Sequence, residues 1–140
     1  MDFIISHALR GLVKEGNQEA LELLGYHYSP NIIVRNFQIK NKTVSVGESL
    51  VFSFEIEAKE DEALMVDYII YFKTKVGKLS PKVHKLKKLS IQKGEKIGFE
   101  KKHLFRANMT TRTFYEGEHR LALQVNGQVQ EEFVFELVVN

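Results

Sequence analysis

RLALQVNGQVQEEFVFELVV, residues 120–139, holds two apolar–polar alternations on either side of Asn126-Gly127. Leu121, Leu123 and Val125 alternate with Arg120, Ala122 and Gln124. Phe133, Phe135, Leu137 and Val139 alternate with Val134, Glu136 and Val138. Successive side chains of a strand point to opposite faces, so a period of two puts one set on a core and the other outward. Asn-Gly is the strongest two-residue hairpin signal, because both positions accept positive φ. The stretch therefore reads as an antiparallel hairpin with one buried face.

The same period runs through most of the chain before it. Val44 and Val46 alternate with polar residues, and Leu50, Phe52, Phe54 and Ile56 face away from Val51, Ser53, Glu55 and Glu57. Residues 64–75 make the longest predicted strand, with Val66, Tyr68, Ile70 and Phe72 inward. Ile69 and Tyr71 make its outer face apolar too, which predicts that something covers that face. After Pro81, His84 and Leu86 share a parity that Leu89 and Ile91 break, which predicts a β-bulge near Lys87-Lys88. Ile97 and Phe99 give one more strand. Gly47 and Gly94 mark turns. About seven strands with turns every eight to twelve residues predict an immunoglobulin-like antiparallel β-sandwich, a mainly β fold, over residues 29–140.

Residues 1–28 read differently. Ser6 caps a predicted helix with Ala8, Leu9, Leu12 and Val13 on one face, and Gly16 ends it. Asn17 opens a second helix carrying Ala20, Leu21, Leu23 and Leu24, closed by Gly25. A two-helix hairpin this short cannot bury its own apolar faces, so it is expected to pack on another domain or to self-associate. Residues 26–30 read as a linker.

The chain of 140 residues has 44% apolar and 11% aromatic residues, enough for a core. It has no cysteine, which excludes disulfides and a thiol nucleophile. Its first residues lack a basic n-region and an h-region, so no signal peptide is expected. A soluble cytoplasmic module with no membrane role is the expectation.

Charge is divided. Residues 73–112 hold 13 of the chain's 20 Lys and Arg against Glu95 and Glu100, a net +11, while the remainder carries −9. A basic face of this density is what a polyanion would meet, although such a run also serves simply as a solvated surface. Lys73, Lys75, Lys78, Ser80, Lys82, Lys85 and Lys87 are expected to form one ledge, with Lys85 and Lys87 on the face of Val83. Thr110, Thr111 and Arg112 offer two hydroxyls and a guanidinium for a phosphate oxygen, beside Arg106. Phe105 and Tyr115 read as core residues.

Catalysis finds no support. The five histidines are scattered through the sequence without metal-ligand spacing, and there is no P-loop, GxGxxG, HExxH or GxSxG. No catalytic residue, cofactor or metal is expected. Glu60-Asp61-Glu62 reads as a solvated turn, His119 as a core histidine, and Asp67 as a cross-strand partner of a lysine.

Several segments, taken in order, resemble one family. Residues 6–10, Leu12-Val13-Lys14 and residues 20–25 resemble the last helical repeat of AlkC-type DNA alkylation-repair proteins. Val66-Asp67-Tyr68, Ser80-Pro81-Lys82-Val83, Lys85-Leu86-Lys87, Thr110-Thr111-Arg112, the spaced Tyr115, Gly117 and His119, and Val125-Asn126-Gly127 are similar to the β-domain that follows it. His84 and Leu86 depart from the pattern, in which larger aromatics are expected at those two positions. The resemblance implies a DNA glycosylase of HEAT-like repeats with a C-terminal immunoglobulin-like domain, removing cationic N3-methylated bases such as 3-methyladenine. It places the base pocket on repeats upstream of this chain. It therefore implies an accessory domain that holds double-stranded DNA and packs on a helical-repeat domain. The competing reading is a protein-interaction sandwich with no nucleic-acid role.

Overall fold

Leu50, Phe52, Phe54 and Ile56 are buried against Leu64, Val66, Tyr68, Ile70 and Phe72, and these two rows make the centre of the core. Each row is every second residue of one strand, so each belongs to one face of one sheet. The computed structural model describes residues 22–107 and 113–139. Among them are eight strands: β1 (Ile32–Ile39), β2 (Thr43–Ser45), β3 (Ser49–Ala58), β4 (Glu62–Lys73), β5 (Leu79–Ile91), β6 (Lys96–Leu104), β7 (Gly117–Val125) and β8 (Gln128–Val138). They form a sheet β1-β3-β6 and a sheet β2-β8-β7-β4-β5. The expected mainly β sandwich is what the chain builds.

Three details correct the expectation. The extra strand is β1, whose alternation is broken where Asn36 adopts φ 55 and the register against β3 slips between Arg35 and Gln38. That slip hid the period of two. The sandwich is also not wholly antiparallel. After β1 the chain crosses to the other sheet within residues 40–42, and β2 then runs parallel to β8. The bulge in β5 falls at Leu86, one residue before the expected pair: Lys85 opposes Asp67 and Lys87 opposes Val66, leaving Leu86 unpaired. Leu86 and Leu89 both still reach the core. The slip therefore keeps both leucines inside.

The Asn126-Gly127 turn has φ 50 and 79 and joins β7 to β8 as expected. Asn126 is fully buried and does more than turn the chain. Its Oδ1 accepts from Met65 N at 2.7 Å, and its Nδ2 donates to His27 O at 2.8 Å and Ala63 O at 3.1 Å. The segment expected to be a linker is thereby tied to the sheet. Leu24, Tyr26 and Tyr28 pack on Met65, on the outer face of β4. Part of the apolar outer face is covered in this way. Glu62, expected in a solvated turn, is buried and accepts from Asn31 N at 2.9 Å, with His27 Nδ1 at 2.8 Å. The two-helix hairpin falls largely outside the described residues. Of it, Gly25 has φ 89 and its N donates to Glu22 O at 3.0 Å.

Candidate nucleic-acid interface

Each sheet has a free edge strand on the same side of the sandwich, β5 in one and β6 in the other. Between them run residues 92–95, where Glu95 N donates to Gln92 O at 2.9 Å and Gly94 takes φ 84. The basic stretch is the sequence of these two edges and the turns beside them. An edge strand leaves its backbone N–H and C=O groups unpaired and needs charge to keep other strands away. Lysines along β5 and β6 serve that purpose whatever else they do.

The register of β5 against β4 gives each side chain a face, because directly opposed residues share one. Lys85 opposes Asp67 on the outer face. Lys82 opposes Ile70, and Lys87 opposes Val66, on the face turned toward the other sheet. The Leu86 bulge thus divides Lys85 from Lys87, which were expected side by side. The expected ledge is an edge instead, with cations leaning off both faces of β5. Lys75, Lys78, Ser80, Lys82, Lys85, Lys87 and Arg106 are exposed. Lys75 and Lys78 sit in the turn closed by Thr74 N to Lys78 O at 2.9 Å and Thr74 Oγ1 to Lys78 O at 2.6 Å. Lys73 is half-buried and points the other way: its Nζ donates to Glu116 O at 3.1 Å, beside β7. Thr110, Thr111 and Arg112 lie outside the described residues. Phe105 is fully buried against Phe72, Phe114 and Phe135, as a core residue, and is not available to a groove.

The opposite pole is equally ordered. Glu131, Glu132 and Glu136 are exposed on β8, which β7 and β4 separate from β5. Three strand spacings make that about 14 Å. Arg120 belongs to this acidic side, bound to Glu118 at 3.2 Å and Glu132 at 3.1 Å. The exposed charge of the described residues is thus mainly positive along β5 and negative along β8.

Residues missed in the sequence complete the basic side. His84 of β5 and His103 of β6 meet between the edges, with ring centroids 4.8 Å apart. Tyr68 stacks on His84 at 4.9 Å, and its hydroxyl lies 2.7 Å from His103 Nδ1. Burial pushes the Tyr68 phenol up to about 12, so the hydroxyl keeps its proton at pH 7. Burial, and then the charges of His84, Lys101 and Lys82, push the His103 imidazole down to about 4. The ring is neutral at pH 7. Lys101 shares the inward parity of Phe99 and His103, and Lys102 faces outward. The alternation of Phe99, Lys101 and His103 was the signal that could have placed them. Below the histidines, Lys82 and Arg106 rim a cavity of about 160 Å³ that Phe72 and Phe114 also line. Among the described residues no group of three His, Cys, Asp or Glu is placed to hold a metal. No described helix is long and apolar enough to cross a membrane.

Residues 33–139 match the family model described as uncharacterised protein YhaZ, C-terminal Ig-like domain. The chain is 35% identical over 136 residues to YhaZ of Bacillus subtilis (strain 168), covering 97% of this chain and 38% of that protein. It is similar to the structure of Pseudomonas fluorescens alkylpurine DNA glycosylase AlkC bound to DNA containing an abasic site analog. That match has a TM-score of 0.90 and 33% identity, and again covers 97% of this chain and 38% of the other. The chain thus spans less than two fifths of the length of both relatives. A domain of Listeria innocua β-glucosidase shares the fold at a TM-score of 0.61 and 17% identity.

Proposed function

Because the chain belongs to the family of the YhaZ C-terminal Ig-like domain, we propose that it is the DNA-holding accessory domain of an alkylpurine-type DNA glycosylase. In this reading it lies behind a helical-repeat domain that carries the chemistry, and residues 1–28 are the end of that domain. The observation that carries the reading is the likeness over 97% of the chain, at 33% identity, to a glycosylase bound to DNA. The cations of the β5–β6 side supply the physical means. Exposed Lys75, Lys78, Lys82, Lys85 and Lys87 neutralise phosphates and release counterions, a term independent of base sequence. Arg106, Thr110, Thr111 and Arg112 fix the register on the strand. Lys73, held toward β7, contributes through the field rather than by contact.

The domain has no catalytic group of its own in this reading, and it acts in the cytoplasm where its DNA lies. The test is a fluorescence-anisotropy titration of duplex DNA at several salt concentrations. About five phosphate contacts give a log–log slope of roughly −4 to −5. Tight binding that ignores salt contradicts the reading. No binding at micromolar protein in low salt favours a protein-interaction module instead.

A further inference from the structure

The cavity between the two sheet edges has features that a solubilising lysine surface does not need. It is lined by an ammonium (Lys82), a guanidinium (Arg106) and two imidazoles (His84 and His103), over the rings of Phe72 and Phe114. No carboxylate lines it among the described residues. Its volume of about 160 Å³ is room for about five waters at roughly 30 Å³ each. The two imidazoles are held, not loose. His84 is stacked on Tyr68, and His103 is fixed by the Tyr68 hydroxyl and by edge contacts to His84 and Phe105. In the tautomer in which Tyr68 donates to Nδ1, neutral His103 carries its proton on Nε2 and has it to donate.

From this arrangement we infer that the cavity seats a single phosphoryl group of the DNA strand, gripped by Lys82 and Arg106 and hydrogen-bonded by the His84–His103 pair. The inference rests on the DNA-holding reading and sharpens it, from a diffuse basic edge to one defined seat. A guanidinium and an ammonium converging on one cavity match an anion with several acceptor oxygens. The apolar floor takes the sugar side of the phosphodiester and keeps water from competing. The groups facing His103 are Tyr68 on β4, Lys82 and His84 on β5, Lys101 on β6, and Arg106 just beyond it. Tyr68 apart, every one is a cation or an imidazole. Burial first, and then the charges of His84, Lys101 and Lys82, depress the His103 imidazole, and an arriving anion opposes the charge part.

The experiment follows the imidazole resonances of His84 and His103 by NMR in the chain, with two probes. One is a duplex with 5′-hydroxyl ends, so that every phosphate is an internal diester; the other is inorganic phosphate. The expected result is that duplex shifts both rings and raises the apparent pKa of His103 by a unit or more. The pair of exposed substitutions Lys82→Ala and Arg106→Ala should abolish those shifts while leaving a weaker, salt-sensitive complex. Lys85→Ala should leave the ring shifts in place. Duplex that binds without moving either ring overturns the seat and leaves the DNA reading standing. Rings that respond to inorganic phosphate but not to bound duplex also overturn it, since the seat then serves a free phosphoryl ligand. If duplex does not bind but inorganic phosphate moves the rings, the DNA-holding reading fails and the seat with it as a DNA contact.

Discussion

The Tyr68 hydroxyl and His103 Nδ1 lie 2.7 Å apart, joining the strand beside one sheet's free edge to the edge strand of the other. His103 is held near 4 when folded and returns to about 6.5 when unfolded. Between those values the unfolded chain binds more protons, so stability is full above pH 6.5 and falls as pH drops toward 4. After allowing for partial solvent access, the loss is about 2 kcal/mol. Denaturant midpoints measured from pH 7 to pH 4 should show it, and His103→Gln should flatten that part of the profile. Equal slopes in both proteins would assign the acid sensitivity to other groups. Tyr68 works in the opposite direction. Its raised phenol keeps the fold stable below pH 10 and withdraws that stability between 10 and about 12. An absorbance titration should find this tyrosine ionising last.

Asn126 supports a second expectation. It combines a φ of 50 with three side-chain hydrogen bonds in a site of zero exposure. Replacing it by Ala strands Met65 N without its side-chain acceptor, leaves two carbonyls short of a donor and puts a Cβ on a left-handed backbone. Each unmet buried group costs about 1–3 kcal/mol, and the backbone adds about 1. Asn126→Ala should therefore cost about 4 kcal/mol or more by chemical denaturation. Asn126→Gly removes only the backbone part of that cost and should recover about 1 kcal/mol. If the two variants are equally stable, the hydrogen bonds and not the turn geometry decide this position.

Much of this could be read from the chain alone, and the failures have physical reasons. The period of two in β3, β4, β7 and β8 and the Asn126-Gly127 turn gave the sandwich, because local pattern and long-range burial agree there. β1 escaped notice because Asn36 breaks its alternation. Parity shows that β5 carries an extra residue but not which one, so the bulge expected near Lys87-Lys88 lies one position earlier, at Leu86. His84 and His103 looked scattered because they sit on different sheets, and nothing local says that β5 and β6 are facing edges. The structural partners of His27, Glu62 and Asn126 were invisible for the same reason: they join positions up to 99 apart.

The lysines divide into two classes that binding can separate. Lys85 and Lys87 are exposed on the free edge strand. Replacing both with Ala should weaken duplex binding by a similar factor for every DNA sequence and make the salt slope shallower by about 2. Lys87→Ala alone should leave the fold unaffected, because surface substitutions of this kind stay within about 0.5 kcal/mol, whereas Lys85 faces buried Asp67 and its loss also costs stability. A loss confined to one DNA sequence would mean that one of them reads a base.

Lys73 makes the contrasting case, and Gly117 shows why. Lys73 Nζ donates to Glu116 O at 3.1 Å, and Gly117 next to it has φ 130, a backbone that L side chains rarely adopt. A Cβ built on Gly117 would lie 2.7 Å from that Nζ. The ammonium ends a flexible stem and can swing aside, so the clash itself is cheap and the cost lies in the backbone. Gly117→Ala should destabilise by about 1–2 kcal/mol and release Lys73 from the carbonyl. Lys73→Ala in the parent chain should weaken duplex binding by less than half as much, in log units, as Lys85→Ala, because its charge is aimed at β7 and away from the open edge. A Lys73→Ala effect as large as that of Lys85→Ala would mean that the DNA path runs over the end of β4 and the start of β7, and the free β5–β6 edge would not be its centre.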